Sequence, residues 1–128
     1  MTRKVQAMDG NATTSGELFW QRLDDLIAHH RITLDRPKGS AHPRYPAFIY
    51  PLDYGYLEGT SGGDGDAIDL WIGSEGNERV TGLICTVDAE ERDLEIKLLI
   101  GCSAQEMQQI AEIHNQGLQS GVLIPRKP

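Results

Sequence analysis

The stretch that decides the fold is IYPLDYGYLEGTSGGDGDAIDLWI, residues 49–72. In its last six residues the side chains alternate in character, a spacing of two that predicts a half-buried strand with Asp69 on the less apolar face. Asp64 and Asp66 crowd the glycine-rich turn just before that strand. Like charges this close repel, so the cluster indicates a bound cation or a retained proton. Taken alone, DGDAID is more typical of a solvated turn, because Asp-Gly is ordinary turn sequence.

The rest of the chain indicates one α+β domain. Capping-box patterns followed by helical spacing predict helices over 15–29 and 103–116. Residues 1–13 are polar and unpatterned and predict a flexible N-terminal tail, leaving 14–128 as a single domain. A small barrel-like sheet with one helix near each end of the chain outside it would fit this order. Further strands are predicted at 32–34, 79–87, 94–100 and 122–124, the middle two forming a hairpin around 88–93.

Composition excludes several classes of partner. The chain has 128 residues, 12 Lys and Arg against 19 Asp and Glu, and a formal charge of −7. With no basic cluster, neither nucleic acid nor an anionic membrane is an expected partner. No apolar run approaches a membrane span or a signal peptide, so we expect a cytoplasmic protein whose Cys85 and Cys102 are reduced, buried thiols.

Acidic side chains also gather around the predicted hairpin. Asp88 and Asp93 stand at the two ends of its turn, and Glu95 and Lys97 continue on the same face as Asp93. If this hairpin lies beside the strand of Asp69, five or six carboxylates converge at one sheet edge with one lysine among them. Mg²⁺ prefers such oxygen donors. The alternative is an exposed hairpin loop and a surface lysine.

Three tyrosines precede the carboxylates. Tyr50, Tyr54 and Tyr56 lie within seven residues. Phenol hydroxyls donate hydrogen bonds to phosphate oxygens at neutral pH, so tyrosines beside a metal cluster would suit an oxyanion substrate. The alternative is that these rings only pack against the sheet, which is the more typical role for Tyr56.

Together these motifs resemble a known family. The spaced pattern YPxxYGY at 50–56 followed by DGDxxD at 64–69 resembles the signature of the Family I soluble inorganic pyrophosphatases. The segment LDRPKGS at 34–40 is similar to the family's acidic-x-Pro-Lys-Gly-Ser segment, with Asp35 where a glutamate is usual. The similarity runs over residues 32–100. It implies a small, distorted β-barrel with helices packed outside.

The resemblance also implies chemistry. In the family several Mg²⁺ ions, for which Mn²⁺ is a possible substitute, hold pyrophosphate and generate a hydroxide that displaces phosphate in line, without a phosphoenzyme. A homo-oligomer is implied as well. By resemblance Asp66 would be the catalytic base, while Lys97, Tyr54, Arg44 and Tyr50 would hold phosphate. The implied metal ligands are Asp64, Asp69, Asp88, either Glu95 or Asp93, and Asp35.

The sequence departs from the family pattern at two places. Arg44-Tyr45-Pro46 stands where the family has a lysine, an aromatic residue and a glutamate, and few residues remain for the arginine-bearing hairpin that follows. The family's phosphate-binding C-terminal Tyr-Lys pair has no evident counterpart, although His114-Asn115 or Arg126-Lys127 could substitute.

Three hypotheses about function therefore stay open. The first is a compact Mg²⁺-dependent pyrophosphatase. The second is a hydrolase of a bulkier phosphoanhydride, such as a nucleotide. The third is a non-catalytic module that binds a metal or a phosphorylated ligand. His42, beside the proposed site, either donates to phosphate or faces solvent.

Overall fold

A computed structural model describes residues 14–127 and gives one mixed six-stranded sheet with a helix packed on each face. The predicted tail, residues 1–13, lies outside the described residues. The elements in chain order are α1 (Ser15–Ala28), β1 (Ile32–Arg36), β2 (Asp53–Leu57), β3 (Ile68–Ile72), β4 (Val80–Asp88), β5 (Asp93–Ile100), α2 (Ala104–Ile113) and β6 (Gln119–Pro125).

Both helices begin where the sequence predicts. The Glu17 amide donates to Thr14 Oγ1 over 3.1 Å, and the Thr14 amide donates to Glu17 Oε1 over 2.9 Å. Ser103 and Glu106 form the same reciprocal pair at α2. These bonds satisfy amides that have no partner inside a helix. Among the described residues, neither helix has the length and hydropathy needed to cross a bilayer.

The strands lie in the order β1-β2-β3-β5-β4-β6. The β3–β5 pair is parallel and every other pair is antiparallel. The predicted α+β class and the β4–β5 hairpin are confirmed. Within the described chain β1 and β6 are free edges that do not pair with each other, so the predicted barrel closure is not confirmed. Side-chain spacing predicts no strand at β2, which lies in the tyrosine-rich segment.

Each face of the sheet has its own core. α1 covers one face through Trp20, Leu23 and Leu26, and α2 covers part of the other through Met107 and Ile110. Cys102 is buried under α2 as predicted, whereas Cys85 is only half-buried, so the prediction of a buried thiol is wrong there; both are free thiols. The buried residues beneath α1 are Ile27, Leu57, Leu70, Val80, Leu83, Leu98 and Ile100, and those on the α2 side are Tyr50, Leu52, Trp71, Ile84, Leu99, Cys102, Met107 and Ile110.

An ion pair joins α1 to the end of the last strand. Arg126 Nη1 lies 2.8 Å from Asp24 Oδ2, and the guanidinium lies over the Trp20 ring at 5.7 Å. Asp24 Oδ1 also accepts the Val80 amide at the start of β4 over 3.1 Å. Because the Arg126 side chain is only 11% exposed, this pair is less screened than an ordinary surface salt bridge. Arg126 therefore serves the fold.

Between β1 and β2 the chain forms a compact turn, residues 40–50, that we call the short hairpin. Ala41 and Ile49 form an isolated bridge, and the His42 amide donates to the Phe48 carbonyl over 2.9 Å. The sequence leaves few residues for a hairpin after Arg44-Tyr45-Pro46. A hairpin forms nevertheless, because a single bridge and its flanking hydrogen bonds need few residues.

The close approach of β1 explains why the tyrosine motif contains a glycine, Gly55. It lies in β2 opposite Leu34 of β1, where the β1 register shifts between Leu34 and Arg36. A Cβ at residue 55 would lie 2.9 Å from the carbonyl carbon of Thr33, and closer still to its oxygen. Since the obstacle is backbone, it cannot swing aside as a side chain would.

We expect Gly55→Ala to lower the free energy of unfolding by ~2 kcal/mol or more, because β1 must move away from β2. The measurement is the melting temperature by circular dichroism, with an expected fall of roughly 8 °C or more. Gly63→Ala is the matched control, because a Cβ there has nothing within 4 Å and the φ angle is not in the left-handed region. Equal melting temperatures for the two variants would contradict the close approach of β1.

Candidate functional site

A groove of about 670 Å³ opens on the α2 side of the sheet. The short hairpin forms one wall, and the β4–β5 turn with the segment after α2 forms the other. The lining residues are His42, Arg44, Tyr45, Phe48, Tyr50, Tyr54, Trp71, Asp88, Glu90, Glu91, Asp93, Glu95, Lys97, Ile113, His114 and residues 116–119.

Lys97 lies at the centre of a polar cluster in this groove. Its ammonium donates to Tyr54 Oη over 2.8 Å and to Glu95 Oε1 over 2.9 Å. Asp69 Oδ2 lies 3.3 Å from the same nitrogen. The Lys97 side chain is 9% exposed, so its charge depends on these oxygens rather than on water. Four of the residues singled out in the sequence therefore meet at one point.

Burial and charge fix the protonation of this cluster. Burial by itself disfavours the charged form of Lys97, but the interactions with Tyr54, Asp69 and Glu95 outweigh it and hold the pKa above its ordinary value. Burial raises the pKa of the Tyr54 phenol, against the opposing charge of Lys97. At neutral pH the cluster therefore presents an ammonium beside a neutral hydroxyl.

The sheet register brings these residues together. Tyr54 of β2 is paired with Trp71 of β3, and Trp71 is paired with Leu99 of β5. Because side chains two residues apart share a face, Asp69 lies on the face of Trp71, and Lys97 on the face of Leu99. The parallel β3–β5 pairing thus satisfies the condition under which the sequence predicted that carboxylates and one lysine would converge.

The opposite wall is acidic. Asp88 and Asp93 are cross-strand partners at the ends of β4 and β5. Asp88 Oδ1 accepts the amides of Glu90 and Glu91 over 2.9 and 3.0 Å, so this carboxylate also holds the β4–β5 turn. Partial desolvation, followed by the charges of Glu95, Asp88 and Glu91, raises the pKa of the Asp93 carboxyl.

Four predicted site residues lie outside the groove lining: Asp69, which still reaches Lys97, and the three exposed carboxylates Asp35, Asp64 and Asp66. Asp64 and Asp66 are exposed in the loop before β3, where Asp64 Oδ1 accepts the Asp66 amide over 3.0 Å. That bond is the turn chemistry that Asp-Gly sequences favour. Asp35 is exposed on β1 and pairs with Arg36 over 3.0 Å. The structure does not bring these three carboxylates to the Lys97 cluster.

The donor chemistry of the groove suits a hard divalent cation, because its acidic side chains offer only oxygen. Besides partial desolvation, the neighbouring carboxylates contribute to the raised pKa of Asp93. Lys97 already neutralises part of the charge on Asp69 and Glu95. Among residues 14–127 no three His, Cys, Asp or Glu side chains are close enough together to form a metal site.

The short hairpin supplies the second cation of the groove. Arg44 lies at its tip, and His42 Nδ1 accepts the amides of Arg44 and Tyr45 over 3.0 and 3.2 Å. His42 therefore organises the tip and lines the groove at the same time. Tyr50, at the base of the hairpin, is 7% exposed, and burial raises the pKa of its phenol.

His114 belongs to a polar chain whose hydrogen bonds no sequence motif predicts. The Trp71 indole donates to His114 Nε2 over 3.3 Å, so the ring proton is on Nδ1, which lies 3.0 Å from Gln119 Oε1. The Gln119 amide in turn lies 3.5 Å from Asp88 Oδ2. Of the two C-terminal candidates, His114 therefore reaches the groove while Arg126 does not. Gln119 carries no motif, so only its place on β6 reveals it.

Comparison with solved structures finds the same architecture in bacterial inorganic pyrophosphatases. That of Neisseria gonorrhoeae matches with a TM-score of 0.58 and 18% identity, over 74% of this chain and 81% of that one. The Helicobacter pylori enzyme matches with a TM-score of 0.53 and 16% identity, over 73% of this chain and 81% of that one. The Coxiella burnetii protein matches with a TM-score of 0.51 and 14% identity, over 73% of this chain and 82% of that one. No family model matches the sequence, and the search of curated proteins found no match. At these identities the likeness establishes the fold.

Burial lowers the pKa of His114, with Lys97 acting in the same direction and Gln119 and Glu95 opposing it. The unfolded chain therefore binds a proton more readily, and folding stability should fall as the pH drops below about 6.5 toward the folded-state pKa.

We expect His114→Gln to remove this part of the pH dependence. Urea unfolding at pH 7.5 and 5.5 measures it. His29→Gln, at the exposed end of α1, should keep the wild-type difference in unfolding free energy between the two pH values. If His114→Gln also keeps that difference, His114 is not the source of the pH dependence.

Proposed function

We propose that this chain hydrolyses inorganic pyrophosphate to two phosphates in a Mg²⁺-dependent reaction. The observation that carries the proposal is the Lys97 cluster, in which a buried ammonium and a neutral Tyr54 hydroxyl face a groove that also contains Arg44. The fold, which is similar to that of three solved bacterial inorganic pyrophosphatases, supports a phosphohydrolase.

Phosphate binding is assigned to the cationic and phenolic side chains of the groove. Lys97 and Arg44 would pair with phosphate oxygens, and Tyr54 would add a hydrogen bond because its phenol keeps its proton. Tyr50 would support Tyr54, whose ring centroid is 5.6 Å from its own. Such groups stabilise the charge that develops on the phosphoryl group in the transition state.

The metal ligands are proposed from the family resemblance and from donor chemistry. Asp88 and either Glu95 or Asp93 would hold Mg²⁺ from the groove together with Asp69 beside Lys97, and Asp64 and Asp35 would be further ligands. When bound, Mg²⁺ would neutralise the charge of the substrate, which an acidic protein could not otherwise attract.

Asp66 is proposed as the base. It would accept a proton from the attacking water as the water oxygen bonds to one phosphorus and the bridging P–O bond breaks, so that two phosphates leave. Asp66 adjoins β3, the strand that carries Asp69 to the Lys97 cluster. Positioned general bases contribute roughly 10²–10⁴ in rate.

The first test is phosphate release from pyrophosphate by the full chain with Mg²⁺. We expect phosphate release that stops when EDTA is added. The kcat of Asp66→Asn should fall at least ~100-fold. Asp25→Asn is the matched control, since Asp25 is exposed on α1 beside Arg22 and is not part of the groove lining.

Magnesium binding is measured in parallel by calorimetry without substrate. Mg²⁺ should bind to the wild type and to Asp66→Asn. Release that persists in EDTA, or equal kcat values for Asp66→Asn and Asp25→Asn, would contradict the mechanism. A folded protein that binds Mg²⁺ and releases no phosphate would reject pyrophosphate as the substrate.

Lys97 provides a second test. Lys97→Gln should lower kcat/KM for pyrophosphate about 100-fold, because a buried cation aimed at the transferred phosphoryl group is lost. The measurement is steady-state phosphate release, with the fold checked by circular dichroism. Lys127→Gln, which removes the same charge from an exposed position outside the groove, should retain wild-type kinetics. Equal kcat/KM values for Lys97→Gln and Lys127→Gln would contradict a role of Lys97 in binding the substrate.

A further inference from the structure

The groove is larger than inorganic pyrophosphate requires. Its volume of about 670 Å³ falls within the ~300–1,000 Å³ typical of sites for drug-sized ligands. The Lys97 cluster and the acidic wall occupy only part of its lining. The remaining lining must therefore suit a further part of a larger ligand, or stay in contact with water.

Three rings of the short hairpin belong to this remaining lining, and we call them the aromatic shelf: His42, Tyr45 and Phe48. The His42 ring centroid is 5.0 Å from that of Tyr45 and 6.2 Å from that of Phe48. Tyr45 is 55% exposed although it lines the groove. Contiguous exposed rings that line a groove are a surface on which a ligand can bind.

The shelf connects directly to the phosphate-binding groups. Arg44 lies over the Tyr45 ring at 5.5 Å, so a cation and an open ring stand side by side at the hairpin tip. From Phe48 the ring contacts continue to Tyr50 at 5.0 Å and from Tyr50 to Tyr54 at 5.6 Å. Tyr54 is itself hydrogen-bonded to Lys97. A ligand that carries phosphates on one end and a flat ring on the other would meet matching groups along this line.

We propose that the aromatic shelf binds the base of a nucleoside di- or triphosphate, so that this groove hydrolyses nucleotide phosphoanhydrides as well as pyrophosphate. The inference rests on the proposed function, because it uses the same phosphate-binding groups. Bases stack on aromatic side chains without regard to sequence, and arginine adds to such stacks. For ADP, the water oxygen bonds to the β-phosphorus, the bridging P–O bond breaks, and AMP, phosphate and one proton are released.

Free nucleotides would be repelled by the acidic wall of Asp88, Asp93 and Glu95. The substrate is therefore the Mg²⁺ complex, whose lower charge suits a groove with more carboxylates than cations. The base needs no hydrogen-bonding partner for this mode of binding, so we expect adenine and guanine nucleotides to be accepted alike.

The experiment compares three substrates with the full chain and Mg²⁺: pyrophosphate, ADP, and ribose 5-diphosphate, which lacks the base. We expect a KM for ADP about tenfold below that for ribose 5-diphosphate. Tyr45→Ala should abolish that advantage and lower the ratio of kcat/KM for ADP to that for pyrophosphate about tenfold. Using the ratio cancels any effect of the substitution on Arg44.

Tyr45→Phe keeps a ring and should retain the wild-type ratio. Ile49→Ala is the matched control on the same hairpin, because Ile49 is exposed and outside the groove lining, and its ratio should also be unchanged. An unaltered ratio in Tyr45→Ala, or equal KM values for ADP and ribose 5-diphosphate, would overturn the inference.

The test separates this inference from the proposed function. Hydrolysis of pyrophosphate with no turnover or binding of ADP would keep the proposed function and reject the shelf. Hydrolysis of ADP but not of pyrophosphate would keep the shelf and reject the proposed function. If neither is hydrolysed, calorimetric binding of Mg²⁺-ADP decides: binding that is ~10-fold weaker in Tyr45→Ala supports the shelf, and no binding rejects it.

Discussion

The buried ammonium of Lys97 is the constraint on which the rest of the site depends. A charge removed from water is tolerated only where oxygens surround it, and here Tyr54, Glu95 and Asp69 do so. Each partner comes from β2, β3 or β5 itself, so the charge ties three neighbouring strands together at a fixed register. Loss of any one partner would leave the ammonium less compensated, which is far costlier than loss of a surface pair.

Local features of the fold could be predicted from the sequence, because their causes are local. Thr14 and Ser103 open helices through side-chain bonds that span three residues, and the charged turn after Asp88 closes a hairpin between adjacent strands. Strand β2 was missed because Tyr54-Gly55-Tyr56 lacks apolar alternation. Its conformation is set by the strands on both sides, β1 and β3, which no spacing rule includes.

The candidate site was predictable only in part, and for the same reason. Asp69, Glu95 and Lys97 were singled out as residue types, but their meeting required the parallel β3–β5 pairing, which connects segments far apart in sequence. Asp64 and Asp66 share a motif with Asp69, yet they lie in an exposed turn outside the groove lining. His114 and Gln119 lie on different elements, so neither their hydrogen bond nor its link toward Asp88 could be expected from spacing.

The parallel β3–β5 pairing also has a consequence for the order in which the molecule assembles. The β4–β5 hairpin can form from neighbouring residues, but Asp69 and Lys97 are 28 positions apart, and the chain between them includes β4, which pairs with the other edge of β5. Pairings of this separation are the slow ones in folding, because the entropy of closing the loop is lost before the contact forms. The Lys97 cluster is thus completed only with the native topology, and a chain with all its local structure in place would still lack it.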